Sequence, residues 1–336
     1  MAAMNRPDRL ALAARPTPLQ PLPRLSAELG VELLVKRDDL TGSHLSGNKI
    51  RKLDYLLHDA LARGATHVIT CGGAQSNHCR ATALAARPLG LVPVLVLRTP
   101  SGTAADLSSP PAGNQLLDRL AGAELRFVTP DGYRDRERVM AALAAELERD
   151  APGARAVVIP EGGSSALGAW GYVDAAHEMA AQWGDEPADS VVVATGSGGT
   201  LAGLALGFKA AGLPTIARGV AVCDDEATFR AIVRRIGAEA HAAYGLPALD
   251  DADFDVIDGF VGRGYALSTP EELAFLRDVA RGDGLVLDPV YTNKALRAVV
   301  TLLRADPTRL GRRVVFVHTG GIFGLFPDAE ALAAVL

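Results

Sequence analysis

The alternation of two kinds of segment constrains this chain most. Short apolar, β-rich runs occur at 32–36 (ELLVK), 67–71 (HVITC), 93–97 (PVLVL), 124–128 (ELRFV), 156–160 (AVVIP), 190–194 (SVVVA), 217–222 (ARGVAV) and 313–318 (RVVFVH). Between them lie helical patterns, at 49–63, 76–87, 134–149, 166–182, 200–211, 271–281 and 292–304. Near-continuous apolar strands separated by helices predict parallel sheets covered on both faces, because crossover helices must lie on those faces. The strand count allows two α/β units, one around 50–160 and one from the remainder. With 336 residues, 49% of them hydrophobic, the chain can bury cores of that size. The stretches 100–114 and 183–190 read as surface loops.

Composition removes several function classes. A net charge of -5 gives no basic surplus for nucleic acid or an anionic membrane surface, so neither is expected as a partner. No apolar run is long enough to cross a bilayer, and prolines interrupt the N-terminal stretch where a signal peptide would need its apolar core. Met1 and Met4 both remain open as the native start. Cys71, Cys79 and Cys223 form no C-x-x-C pair, which fits a reducing cytoplasm. The seven histidines lack metal-ligand spacing, so no metal site is expected. Cys79 is assigned no role.

Four stretches could carry chemistry. The first, "TGSHLSGNKIRK" (41–52), resembles a phosphate-binding P-loop, but Asn48 stands where the lysine belongs and Lys49 comes one residue late. Lysine is scarce here: Lys36, Lys49, Lys52, Lys209 and Lys294 are the only five among 34 basic residues. Arginine cannot replace a lysine that must lose its proton and attack a carbonyl. Lys52 and Lys209 read as solvated, and Lys36 as an ion-pair partner. Lys49 follows a Ser-Gly-Asn turn and opens a helix, where positive potential and desolvation lower a lysine pKa. Taken alone, an exposed lysine at a helix start is the more ordinary reading.

The second is a strand that runs into Thr195, Gly196, Ser197, Gly198, Gly199 and Thr200 before a helix begins. Such a loop closes backbone N–H groups around an anion at a helix start. The dinucleotide fingerprint needs glycine at 201, where this chain has leucine, so the loop suits one phosphate group. A ligand-free turn is the alternative. Third, Gln75, Ser76, Asn77 and His78 crowd the end of a strand, where open α/β sheets place ligands; Ser76 as a plain N-cap is the alternative. Fourth, Tyr291 stands at a helix start in "LDPVYTNKA", and Thr319 begins a turn in "HTGG". Packing and turn formation account for either of these alone. No G-x-S-x-G elbow is present.

A lysine at a helix start, a cup for one phosphate and a serine-asparagine turn are the parts needed to hold pyridoxal 5'-phosphate. The chain resembles the D-cysteine desulfhydrase and 1-aminocyclopropane-1-carboxylate (ACC) deaminase family, and within it the plant-like desulfhydrases. The likeness runs nearly end to end, through "PTPLQPLPRLS", "VKRDDLTG", "SGNKIRKL", "QSNHCRATA", "IPEGGSSALGAWGY", "GSGGTLAG", "VCDD", "GRGYALST", "LDPVYTNKA" and "HTGG". It implies two open parallel-sheet αβα domains of the tryptophan-synthase-β-like fold (fold type II). Residues 1–48 and 161–336 would form the larger, cofactor-binding domain, and 49–160 the smaller one, opening with the lysine.

The resemblance also implies roles. Lys49 matches the Schiff-base lysine that then serves as general base. Asn77 matches the asparagine beside the cofactor's phenolic oxygen. Gly196 to Thr200, with Thr195 before them, match the phosphate cup. Ser76 and His78, with Asn77, match the turn that takes the substrate carboxylate. Tyr265 and Tyr291 match active-site tyrosines, and Thr319 the hydroxyl that meets the pyridine nitrogen. Lys49, Tyr291 and Ser76 are the expected catalytic set. The implied reaction is α,β-elimination of D-cysteine to pyruvate, sulfide and ammonia, by a cytoplasmic homodimer acting on a small amino acid. ACC deaminase and L-cysteate sulfo-lyase are the alternatives within the family, and a phosphate- or nucleotide-binding module without catalysis is the alternative outside it. ACC deaminases carry glutamate directly after the tyrosine matched by Tyr291; this chain has Thr292.

Overall fold

The computed structural model describes residues 4–336, so the alternative start at Met1 and the first three residues of the 1–48 segment lie outside it. Its strands are β1 (Leu19–Pro21), β2 (Glu32–Lys36), β3 (His67–Gly73), β4 (Val92–Arg98), β5 (Glu124–Val128), β6 (Ala156–Val158), β7 (Ser190–Thr195), β8 (Ile216–Ala221), β9 (Phe254–Ile257) and β10 (Arg313–Val317). All eight expected strands are present. β1 and β9 carried no clear signal: β1 has only three residues and ends in proline, and β9 has four with an aspartate among them.

Two sheets result, one with the order β1-β2-β10-β7-β8-β9 and one with the order β5-β4-β3-β6. Pairing is parallel throughout except at the short edge strand β1, which runs antiparallel to β2. The central strands explain their apolar runs: every residue of β7 is buried. All seven expected helices are present within a few residues of their predicted bounds. The helix Glu226–Tyr244 is not among them, although Phe229, Val233, Ile236 and Ala240 give it a buried stripe at helical spacing. The helix Gly113–Leu120 starts just inside the expected 100–114 loop.

The helix Lys49–Ala62 departs most from a simple amphipathic pattern. Ile50, Arg51, Lys52, Leu53, Asp54, Tyr55, Leu56 and Leu57 are all buried, so its polar residues need internal partners. The Arg51 guanidinium donates to both carboxylate oxygens of Asp38 at 2.8 Å and to both of Glu178 at 2.9 Å. Lys36 donates to Glu178 as well, the ion pair that the sequence suggested. On another side Asp54 pairs with Arg15, and the Tyr55 hydroxyl donates to Asp174 at 2.7 Å. The helix Ala166–Trp183 comes so close that a Cβ on Gly171 would sit 2.4 Å from the Arg51 carbonyl oxygen. Only glycine admits that approach.

Glu178 supports a prediction. Burial opposes its charge, but Arg51 and Lys36 outweigh burial and hold its pKa at about 2, down from 4.5. A depressed carboxylate pKa gives stability that is complete above about pH 4.5 and is lost as pH falls toward 2. Glu178→Gln is expected to lower unfolding free energy by about 3–5 kcal/mol at neutral pH, because Lys36 and Arg51 lose a buried counter-charge. Urea denaturation across the acid range checks this, and the gap between variant and parent should close as pH drops through that window.

Candidate active site

The carboxyl ends of β3, β4, β6, β7 and β10 surround a cavity of about 570 Å³. Open α/β sheets bind ligands at such ends. Lys49, Ser76, Asn77, His78, the residues Thr195–Gly198, Thr200, Tyr265, Tyr291 and Thr319 all border it, so the predicted residues converge from six separate stretches of chain. Gly199 stands just behind the lining, as the first residue of its helix.

Lys49 is placed by a contact between two backbones. Gly47 has φ +111°, and a Cβ there would sit 2.8 Å from the Thr319 carbonyl oxygen. The Asn48 N–H donates to that same oxygen at 3.1 Å. The turn before the helix Lys49–Ala62 therefore lies directly on the turn after β10. Lys49 Nζ donates to Asn48 Oδ1 at 2.9 Å, and Asn48 Nδ2 donates to Thr200 Oγ1 at 3.1 Å. Asn48 thus joins the lysine to the glycine loop. Lys49 has no carboxylate within ion-pair distance among the described residues. Burial is the main cause that lowers its pKa, to about 8; Arg80 lowers it further, while Asp288 and Glu161 oppose.

The glycine loop joins β7 to the helix Gly199–Ala210, whose first N–H groups have no intrahelical acceptor. Ser164 braces it, donating to Ser197 Oγ at 2.8 Å and accepting from the Gly199 N–H at 3.2 Å. The Thr195 hydroxyl has no partner among the described residues and lies against Gly219, so Thr195 borders the cavity without offering its side chain to it. Lys52 corrects an expectation. It is 1% exposed, not solvated, and donates to the Gly162 carbonyl at 3.0 Å behind the loop.

Ser76 caps the helix Asn77–Ala86 by accepting from the Cys79 N–H at 3.2 Å. Asn77 Oδ1 accepts from Asn114 Nδ2 at 2.9 Å, which fixes the amide at the cavity wall. His78 is 3% exposed and its Nε2 meets Thr70 Oγ1 at 2.8 Å. Thr70 Oγ1 also lies 2.9 Å from the Ile159 carbonyl, and His78 Nδ1 has no hydrogen-bond partner among the described residues. Burial and then Lys49 and Lys52 hold this imidazole neutral, well below its usual pKa. The ring is therefore no cationic carboxylate donor, and the turn can offer N–H groups and the Ser76 hydroxyl.

Tyr265 and Tyr291 form a pair, with hydroxyls 2.8 Å apart and ring planes at 72°. Burial raises Tyr265 to about 12 and raises Tyr291 well above its usual value, so both keep their protons at neutral pH. Lys49 Nζ lies 6.0 Å from the Tyr291 ring centre. Asp288, which the sequence reading missed, accepts from the N–H groups of Val290, Tyr291 and Thr292 and from the Thr292 hydroxyl. Asn48, Ser164 and Arg98, whose guanidinium lies 5.4 Å from the Tyr265 ring centre at the cavity wall, were missed too. Asp288 and Asn48 each had a local signal, a capping residue type just before a helix start.

These residues fit pyridoxal phosphate on the structure's own terms. The cavity offers a lysine of lowered pKa without an ion-pair partner, free helix-start N–H groups on a glycine loop, and hydroxyls at Ser76 and Thr319. Gly47→Ala should strain a positive-φ backbone by about 1–3 kcal/mol and push the lysine turn off Thr319. The expected result is a folded protein with at least tenfold weaker cofactor binding, read by visible absorbance titration. In cofactor-free protein, Lys49 should react with an amine-directed reagent with a midpoint near pH 8, because it is neutral above that value.

Comparison with known proteins agrees with this geometry. A family model described as "Pyridoxal-phosphate dependent enzyme" matches residues 10–320. A putative ACC deaminase of Thermotoga maritima is 44% identical, over 96% of this chain and 99% of the relative. A mitochondrial bifunctional D-cysteine desulfhydrase/ACC deaminase of Arabidopsis thaliana is 40% identical, over 97% of this chain and 81% of the relative. The crystal structure of an ACC deaminase homologue superposes with a TM-score of 0.85 at 38% identity, covering 98% of this chain and 97% of that one. Lys49, its turn on Thr319 and the glycine loop all fall inside the matched span, and the chain belongs to the family of pyridoxal-phosphate dependent enzymes.

Proposed function

We propose that this enzyme is a D-cysteine desulfhydrase: it eliminates the thiol from D-cysteine and, with one water consumed, leaves pyruvate, ammonia and sulfide. Thr292 carries this reading. Where ACC deaminases have glutamate, Thr292 is fully buried and donates its hydroxyl to Asp288 at 2.6 Å. Asp288 in turn is occupied by three backbone N–H groups. The position after Tyr291 thus offers the cavity no carboxylate for opening a cyclopropane ring. The names of the Arabidopsis and Thermotoga relatives favour ACC deamination as the second reading.

The roles follow from the placement of side chains. Lys49 would hold the cofactor through its amine and would take the proton from the substrate Cα, a task suited to a base with a pKa near 8. Bound pyridoxal phosphate supplies the electron sink for the charge left at Cα. The N–H groups at the start of the helix Asn77–Ala86 and the Ser76 hydroxyl grip the substrate carboxylate. The Asn77 amide, locked by Asn114, would lie beside the phenolic oxygen of the bound cofactor. The loop Thr195–Thr200 would cradle the phosphate, and the Thr319 hydroxyl would meet the ring nitrogen. Tyr291, protonated and with its ring centre 6.0 Å from Lys49 Nζ, would deliver a proton near the leaving sulfur or Cα, and Tyr265, hydrogen-bonded to it, would orient it. The same reading divides the chain into a larger domain of 1–48 and 161–336 and a smaller one of 49–160. The two sheets support that division, since the four-stranded one lies wholly within 49–160. A homodimer in the cytoplasm completes the proposal, on family resemblance.

Pyruvate and sulfide release from D-cysteine, L-cysteine, L-cysteate and ACC tests it, with Lys49→Ala alongside. The expected result is turnover of D-cysteine to both products and a loss of at least 10³-fold in the variant, on the scale of removing a catalytic base. Turnover of ACC alone would overturn the substrate assignment.

A further inference from the structure

Lys294 is a buried lysine that the chemistry above leaves without a task. It sits in the first turn of the helix Thr292–Ala305, three residues after Tyr291, and is 1% exposed. No carboxylate lies within 4 Å of it among the described residues. Its Nζ donates instead to two carbonyls, Val261 at 2.7 Å and Gly264 at 2.8 Å. Those carbonyls belong to the loop that carries Tyr265. The Gly264 N–H closes a turn onto Val261 at 3.3 Å, so Lys294 clamps both ends of that turn.

The loop needs such a clamp. Ala266, next to Tyr265, is the only non-glycine residue with positive φ among the described residues, at +58°. A backbone in that region persists only where its surroundings hold it. The helix start supplies further holds. Asn293 Nδ2 donates to the Glu272 carbonyl at 2.7 Å, and Glu272 accepts from the Thr269 N–H at 2.8 Å just beyond the loop. One helix turn therefore fixes both members of the tyrosine pair, Tyr291 through Asp288 and Tyr265 through Lys294.

We infer that Lys294 is a positioning residue for catalysis: it sets the Tyr265 hydroxyl against Tyr291. A buried ammonium answered only by carbonyls is a poor stabiliser compared with an apolar side chain of similar size. Its value lies in where it holds the loop. The inference rests on the proposed use of the tyrosine pair.

The test is a double-mutant cycle between Lys294→Met and Tyr265→Phe, in the holoenzyme. It follows pyruvate release from whichever amino acid of the panel turns over fastest, so a wrong substrate assignment leaves it intact. Lys294→Met is expected to lower kcat by about tenfold to a hundredfold, the scale of a small misplacement, with KM moving far less and Tm unchanged or raised. In the Tyr265→Phe background the same substitution should cost less than twofold. Lys294→Gln, which keeps donors on a shorter stem, should retain more kcat than Lys294→Met and serves as the second variant if Met does not fold. Independent, multiplying losses in the double variant would overturn the inference, as would losses that track a falling Tm. If Tyr265→Phe alone leaves kcat unchanged, the role of the tyrosine pair fails and this inference with it, whatever the substrate.

Discussion

The site depends on the contact of Gly47 with Thr319. The turn before the helix Lys49–Ala62 and the turn after β10 touch backbone to backbone, with the Asn48 N–H on the Thr319 carbonyl. That contact brings a lysine from one end of the chain and a hydroxyl from the other to one cavity. It would be worthless if the helix could shift, and the helix cannot shift cheaply. Arg51, Lys52, Asp54 and Tyr55 are each buried and each bound to a partner far away in sequence. Breaking any of these bonds leaves an unpaired polar group inside, at a cost of several kcal/mol for a charge. The polar interior of this helix is a positioning device for Lys49.

The same logic governs the opposite wall. Tyr291 and Tyr265 come from a helix start and from a loop with a residue at positive φ. Neither could hold a hydroxyl within a few tenths of an ångström unaided. Asp288 and Lys294, one on each side of Tyr291 in sequence, tie both to a single helix turn. The residues proposed to do the chemistry stand on loops and helix starts, where they can reach a ligand, and the rigidity comes from charged side chains buried behind them.

Much of this was legible in the sequence. Parallel strands announced themselves because a strand covered on both faces must be apolar along its whole length, as β7 is. The glycine loop was legible because strand, glycines and helix stood in the order an anion cup requires. Lys49 was visible only as a scarce lysine at a helix start; the family resemblance, not the spacing, gave it a role. Lys52 was misread because its partner, the Gly162 carbonyl, lies 110 residues away, and helical periodicity says nothing about a carbonyl on a distant turn. Asn48 and Ser164 escaped for the same reason: their work is done across 152 and 33 residues respectively. Lys294 drew no reading from the sequence, because the carbonyls it holds lie 33 and 30 residues before it. Sequence patterns report which face is buried, not what a buried polar group finds there.

The most direct test of this arrangement is to fix the cofactor to its lysine. Treating the holo-protein with borohydride, digesting it and locating the modified peptide by mass spectrometry identifies the side chain that holds the cofactor. The predicted result is a single modified residue, Lys49, absent in Lys49→Ala. Modification at Lys52, Lys294 or Lys36, or none in a protein carrying bound cofactor, would contradict it.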